Sequence, residues 1–241
     1  HKLKTFVAGD GTLFYPIGLP VYFSFSTGSN SDMLAPKSKT DSLKPVFFPK
    51  SGETSIDLVR NSGFRIPNGG HKLVVDGIEP ITISSFSNAA KAAVSNQIFY
   101  GKGLSVNLKS SDRYSGLEQS YFSLNQDTFS PFESGFSPKQ EGVYSLKYYA
   151  VDRVGNVEEV KEKTFTLDLS APTTSIKKGG ELLGSVFAKN GKISLESKDE
   201  YAGVAQQFYK LNQNNLRVYN STISLSNLLD GEHSIQYKAI D

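Results

Sequence analysis

The chain of 241 residues contains no cysteine, no tryptophan and a single methionine. Without cysteine there are no disulfides and no thiol chemistry, so stability must come from packed cores and hydrogen bonds. An excess of one charge sign is missing too: 26 Lys and Arg face 24 Asp and Glu, leaving a net charge of +2. The two signs are interspersed, which removes the basic patch that nucleic-acid binding requires. No apolar run reaches the roughly 18 residues of a membrane-spanning helix, so the sequence predicts no such segment. No secretory signal is visible, and the chain starts at His1, which reads as a processed or excised piece.

What is present is polar and aromatic, with 12 Tyr, 16 Phe and 21 Gly amid abundant Ser, Thr and Asn. That mixture leans toward an extracellular β protein. The chain also repeats itself. Asp112, Gly116 and Asn125 recur as Asp199, Gly203 and Asn212, each 87 positions later (199 − 112). The segment Gly142-Val-Tyr-Ser-Leu-Lys-Tyr148-Tyr-Ala-Val-Asp152 recurs 89 later as Gly231-Glu-His-Ser-Ile-Gln-Tyr237-Lys-Ala-Ile-Asp241 (231 − 142). A period of that length is a small domain rather than one turn of a solenoid.

Period-two alternation marks strands with one buried face. Leu104, Val106 and Leu108 alternate with Ser105, Asn107 and Lys109, and Ile193 and Leu195 flank Ser194. Turn residues punctuate the strands at Ser115-Gly116, Gly155-Asn156, Asn190-Gly191 and Asp230-Gly231. The expected fold is all-β, an elongated array of tandem Ig-like antiparallel β-sandwiches. One stretch, Asn88–Val94, reads as a short helix or turn within a loop. Asp76-Gly-Ile-Glu-Pro80 and Asp168-Leu-Ser-Ala-Pro172 open successive copies, because proline stiffens an extended spacer. The expected domains are 1–76, a degenerate sandwich; 77–168, a full repeat; and 169–241, a repeat lacking its last strand. In the first, Phe14-Tyr15 corresponds to Phe99-Tyr100 and Lys72–Asp76 to Thr164–Asp168, while Ser26–Ser42 forms a polar loop.

The motifs Asp-x-x-Ser/Ala-Gly-Leu/Val, Tyr-x-Leu-Asn and Tyr148-Tyr-Ala-Val-Asp152-Arg-Val-Gly155-Asn156 resemble the bacterial Ig-like repeats of spirochaetal-type outer-membrane surface proteins, a family also labelled "β-barrel". The resemblance covers residues 76–241 well and 1–75 faintly. It implies export, display on the bacterial cell surface or outer membrane, and adhesion to host extracellular-matrix or plasma proteins. A different class remains open: an accessory carbohydrate-binding or spacer module of an extracellular glycosidase. The lack of tryptophan weighs against carbohydrate.

Catalytic residues are not evident, and the expectation is a non-enzymatic protein. Of three histidines, His1 is terminal, His71 follows Gly69-Gly70, and His233 fills the slot held by Tyr144 one copy earlier. A catalytic group would not exchange with tyrosine between copies. No phosphate-cradling glycine loop or nucleophile elbow appears. Of the neighbouring aromatics Tyr121-Phe122 and Tyr148-Tyr149, one of each pair must face outward while the other fills the core. The outward one could bind sugar or protein, or merely decorate a sheet. The residues singled out are acidic. In an Ig-like sandwich the ends of strands B and F share a pole with the incoming linker, which would gather Asp76, Asp112 and Asp152 at one junction. Asp168, Asp199 and Asp241 would gather at the next, with Glu200 nearby. Hard oxygens collected from separate loops suit Ca²⁺. The same aspartates could equally cap their own turns through Asx hydrogen bonds. No other cofactor is expected, and the expected state is monomeric.

Overall fold

The computed structural model describes residues 1–22, 45, 47–54, 72–126 and 128–241. The polar loop expected over Ser26–Ser42 lies outside the described residues, as does His71. All regular structure among the described residues is β.

The first strands are β1 (Phe6–Val7), β2 (Leu13–Pro16), β3 (Gly52–Thr54) and β4 (Leu73–Asp76), in the order β1-β2-β4-β3. β1 is antiparallel to β2, whereas β2 runs parallel to β4 with Phe14 opposite Val74 and Tyr15 opposite Val75. Leu73, Val74, Val75 and Asp76 are all buried. A continuous apolar run of this kind belongs to a strand covered on both faces.

Next come β5 (Ile81–Ser87), β6 (Lys91–Val94), β7 (Gln97–Tyr100), β8 (Ser105–Ser111), β9 (Leu117–Leu124), β10 (Ser130–Pro131), β11 (Gly142–Asp152) and β12 (Lys161–Leu167). β5 pairs with β8, and the others form a sheet in the order β10-β9-β11-β12-β7-β6. β12 is parallel to β7, with Thr166 opposite Phe99 and Leu167 opposite Tyr100. The β2/β4 pairing is thus repeated: Phe14 and Phe99 are 85 apart (99 − 14), and their partners Val74 and Thr166 are 92 apart (166 − 74).

Of the helix or turn expected over Asn88–Val94, Asn88 and Ala89 form a bend, whereas Lys91–Val94 is strand β6, paired antiparallel with β7. Ser95 and Asn96 both have positive φ, at 49° and 67°. Two such residues in succession make the primed hairpin turn that matches strand twist, and the hairpin overrides the helix preference of the alanines.

The last strands are β13 (Thr173–Gly179), β14 (Leu182–Leu183), β15 (Val186–Phe187), β16 (Lys192–Lys198), β17 (Gln206–Leu211), β18 (Arg217–Val218), β19 (Ile223–Ser224) and β20 (Ile235–Ile240). They form the sheets β13-β16-β19, β18-β17-β20 and β14-β15.

By contacts the chain divides into two units. One comprises His1–Ser85, Val106–Gly135 and Leu146–Lys163, with Leu73, Val75, Val106, Leu146, Val151 and Val154 among its buried side chains. The other comprises Phe86–Ser105, Phe136–Ser145 and Thr164–Asp241, and buries Phe99, Tyr100, Leu104, Phe165, Leu167, Ile193 and Leu195. Each such side chain removed from water contributes about 1.5–3 kcal/mol before entropy is counted.

Strand β5 has an unusual polarity. Ile81 and Ile83 face out, while Thr82 and Ser84 are buried. The inward hydroxyls are satisfied in a chain: Thr82 to Ser110 at 2.7 Å, Ser110 to Ser120 at 2.7 Å, and Ser84 to the Tyr148 hydroxyl at 3.1 Å. The amide of Thr82 donates to Glu158 Oε1, which also meets Lys161 Nζ. Buried polar groups cost little when bonded, so this network fixes the register that an apolar strand would leave to packing.

Candidate functional site

The acidic residues end strands or sit one step beyond them. Asp76 closes β4 and Asp152 closes β11, both fully buried, while Asp112 follows β8 directly. Their carboxylates come together, each offering an oxygen within 4.8 Å of the others. Asp168, Asp199 and Asp241 form a second group meeting the same limit. Asp168 is buried and Asp241 exposed. Glu200 is exposed and is not a member of this group.

Backbone amides hold each carboxylate in place. Asp76 accepts from the Ile78 amide through Oδ1 and from the Ser115 amide through Oδ2, at 3.1 and 3.0 Å. Asp112 Oδ2 accepts from Tyr114 and Gly116, both at 2.9 Å. Asp152 Oδ1 takes three amides, from Val154, Gly155 and Asn156, and its Oδ2 accepts from Asn156 Nδ2 at 2.7 Å. These are the Asx-type turns the sequence left as the alternative to metal binding.

The second group copies the first. Asp168 accepts from the Ser170 and Ala202 amides at 3.2 and 2.8 Å. Asp199 accepts from Tyr201 and Gly203 at 3.0 and 2.9 Å. Gly116 and Gly203 share φ values of 83° and 81°, and Asn125 and Asn212 share 55° and 54°. Only residues that tolerate left-handed backbone can stand there.

The turns leave one oxygen over at each group. Asp112 Oδ1 and Asp199 Oδ2 are buried and have no hydrogen-bond partner. Burial raises the pKa of Asp152 above the ordinary aspartate value, opposed by hydrogen bonds from Asn156 and Gly155 and reinforced by the negative charge of Asp76. Three carboxylates so close repel one another, and the backbone amides that each accepts offset part of that repulsion. A hard cation of the calcium type would take its oxygens from Asp76, Asp112 and Asp152, or from Asp168, Asp199 and Asp241.

No family model matches the chain, and no curated protein sequence matches it.

Sequence reasoning overlooked Asn156 and Ser115 as parts of the site. Asn156 bonds the Asp152 carboxylate and reaches the Asp76 carbonyl at 3.3 Å. The signal was the Asp152-x-x-Gly155-Asn156 spacing, which returns an amide side chain to the aspartate four residues back. His233 is exposed and bonds Asn212 Nδ2 and the Leu229 carbonyl. Tyr144 likewise bonds the carbonyl four residues back, Gln140, at 2.6 Å. Histidine and tyrosine therefore do the same structural work in the shared slot. Tyr148 turns inward and is buried, while its neighbour Tyr149 stacks on Tyr121 with centroids 5.1 Å apart, and Phe129 meets Tyr149 edge-on.

Proposed function

We propose that this chain is part of a tandem array of Ig-like β-sandwiches displayed on a bacterial surface, with boundaries near residues 76 and 168. It acts without catalysis, as a stalk that also adheres to host extracellular-matrix or plasma proteins. The observation that carries this reading is the recurrence of whole backbone devices one domain length apart. The Asp112–Gly116 turn returns at Asp199–Gly203 with the same hydrogen bonds and the same φ. Copies with equivalent scaffolds serve reach and multivalency rather than a single active centre. The half-exposed Tyr121, Tyr149 and Phe129 rings add a contact surface of the kind protein and sugar ligands use.

A binding panel of matrix and plasma proteins, run beside a glycan array, tests it. Saturable binding to a matrix or plasma protein supports the adhesin. Binding confined to glycans replaces it with the accessory carbohydrate module. Blank results on both leave a spacer with no ligand and overturn the adhesive part.

We further propose that the two aspartate groups take Ca²⁺. The unpartnered buried oxygens of Asp112 and Asp199 favour a cation over turn capping alone, because capping accounts for the other oxygen of each. Calorimetry with Ca²⁺ and with EGTA tests this, and an unchanged melting temperature would sink it.

A further inference from the structure

Strand β5 points its isoleucines away from the core, and the next copy shows that the fold does not require them there. Thr82 and Thr174 hold the same inward position 92 residues apart (174 − 82). Thr82 Oγ1 bonds Ser110 Oγ at 2.7 Å, and Thr174 Oγ1 bonds Ser197 Oγ at 2.8 Å. By that correspondence the outward Ile81 and Ile83 stand where β13 has Thr173 and Ser175, and Ile78 stands where the next linker has Ser170. Ile81 is 59% exposed and Ile83 66%, and Thr173 and Ser175 are exposed as well. Packing imposes no choice at these solvent-facing positions, yet one copy makes them apolar and the other hydroxylic.

The isoleucines border a small cavity. Ile81 lines it together with Val160, itself 49% exposed, and with Glu79, Glu158, Glu159 and Lys161. Its volume of ≈ 170 Å³ falls below the roughly 300–1,000 Å³ of small-molecule pockets and suits a single side chain. The lining sets three carboxylates against one ammonium. Lys161 is committed, since its Nζ pairs with Glu158 Oε1 and donates to the Thr82 carbonyl at 2.9 Å. Glu158 Oε1 also accepts from the Thr82 amide at 2.7 Å. The other oxygen of Glu158, Oε2, is buried without a hydrogen-bond partner, in a side chain only 4% exposed. Such an unmet oxygen calls for a donor. Glu79 and Glu159 are exposed and make no ion pair among the described residues. Because the Thr82 amide and carbonyl are both occupied, the β5 edge is closed to an added strand at that residue, and recognition there falls to side chains.

We infer that this cavity is a docking site for an arginine side chain carried on an apolar segment of a partner protein. The guanidinium supplies the donor that Glu158 Oε2 lacks and a counter-charge for Glu79 and Glu159, while the apolar neighbours of the arginine cover Ile81, Ile83 and Val160. Arginine suits this lining better than other cations. Its planar fork offers several donors to carboxylates from one side chain, and its weak hydration lowers the cost of entry. A divalent metal would draw its oxygens from the same carboxylates, and the Lys161 ammonium already holds one of them. An apolar centre with charged groups at its rim is the make-up of a protein docking surface. The inference rests on the adhesive reading for the partner's origin, and names the surface and the chemistry that hold it.

The test uses the full 241-residue chain and a short blocked peptide with arginine at its centre and leucine and valine around it. Isothermal titration calorimetry should show saturable binding. The same peptide with citrulline, which keeps the shape and loses the charge, should bind at least about tenfold more weakly. Glu159→Gln should weaken the arginine peptide to a similar degree, and Ile81→Thr with Ile83→Ser by about threefold or more. These substitutions lie at exposed positions, and the two on β5 install residues that the next copy already bears, so the melting temperature should hold. Equal binding of the two peptides, no binding of either, or unaltered affinity in the variants overturns the inference. So does a dimer, seen by sedimentation, that the Ile81→Thr and Ile83→Ser chain no longer forms, which would make a second copy the occupant. The adhesive reading fails separately: a blank matrix and plasma panel beside a bound arginine peptide removes the adhesin and leaves the site. A matrix ligand held equally by wild type and variants keeps the adhesin and overturns the site.

Discussion

The backbone amide of Ser115 donates a 3.0 Å hydrogen bond to Oδ2 of Asp76, joining the turn after β8 to the end of β4 across 39 residues of sequence. Ala202 does the same for Asp168 at 2.8 Å. Each linker aspartate is therefore a structural tie as well as a charge. Asp76→Ala should cost about 1–3 kcal/mol, because it orphans the buried Ser115 amide. Asp76→Asn keeps an acceptor and removes a repelling charge, so it should cost less in cation-free buffer. Urea denaturation of both variants checks the order, and equal losses would contradict it.

The raised pKa of Asp152 gives a pH dependence of definite sign. Its folded-state pKa lies above the ordinary aspartate value of 3.8, so the folded state binds the proton more tightly than the unfolded state does. This contribution to stability is full below pH 3.8 and is lost as pH rises through the folded value. The stability difference between wild type and Asp152→Asn, followed by chemical denaturation from pH 3 to 7 in EGTA, should change in that direction. A flat difference would refute the shift.

Calcium should act on the two groups unequally. The first group has two buried members, whereas the second includes exposed Asp241. Asp112→Asn should abolish most of the Ca²⁺-dependent gain in melting temperature, and Asp199→Asn should remove less. Differential scanning calorimetry at fixed ionic strength separates the specific effect from screening.

Gly155 has φ of +95°, and a Cβ there would stand 2.6 Å from the Lys2 carbonyl oxygen. Gly155→Ala should destabilise the protein by about 1–3 kcal/mol through backbone strain, with the contact adding to it. Thermal melting measures the loss. A melting temperature within error of wild type would show that residues 2–3 move aside at no cost.

Leu146 is fully buried, while its counterpart Ile235, 89 positions later (235 − 146), is only partly buried and lines a cavity open to solvent. Leu146→Ala should cost about 2–5 kcal/mol and Ile235→Ala distinctly less, since a site already open to solvent gains no new cavity. Equilibrium unfolding of the two variants makes the comparison.

Much of this architecture was legible in residue order. Alternation placed β8 and β16, and the Phe14/Phe99 correspondence marked two equivalent strands. Their parallel pairing with β4 and β12 departs from the antiparallel sheets expected, because strand direction is set by which distant strand the chain meets. The aspartate groups were legible because each member closes a strand or stands directly after one. The Lys91–Tyr100 hairpin was not. Its alanines speak for helix locally, and only the Ser95-Asn96 turn and pairing with β7 decide otherwise. The inward turn of Thr82 and Ser84 was equally hidden, since hydroxyls become core residues only when distant hydroxyls meet them.

The sequence by itself determined the strand content, the repeat and the identity of the acidic residues, because alternation and turn chemistry are local properties of the chain. Tertiary structure alone decided which oxygen of Asp112 and Asp199 is left without a donor, and that Thr82 and Ser84 turn inward. Those outcomes depend on groups far apart in sequence sharing one space, where burial sets the cost of every unmet bond.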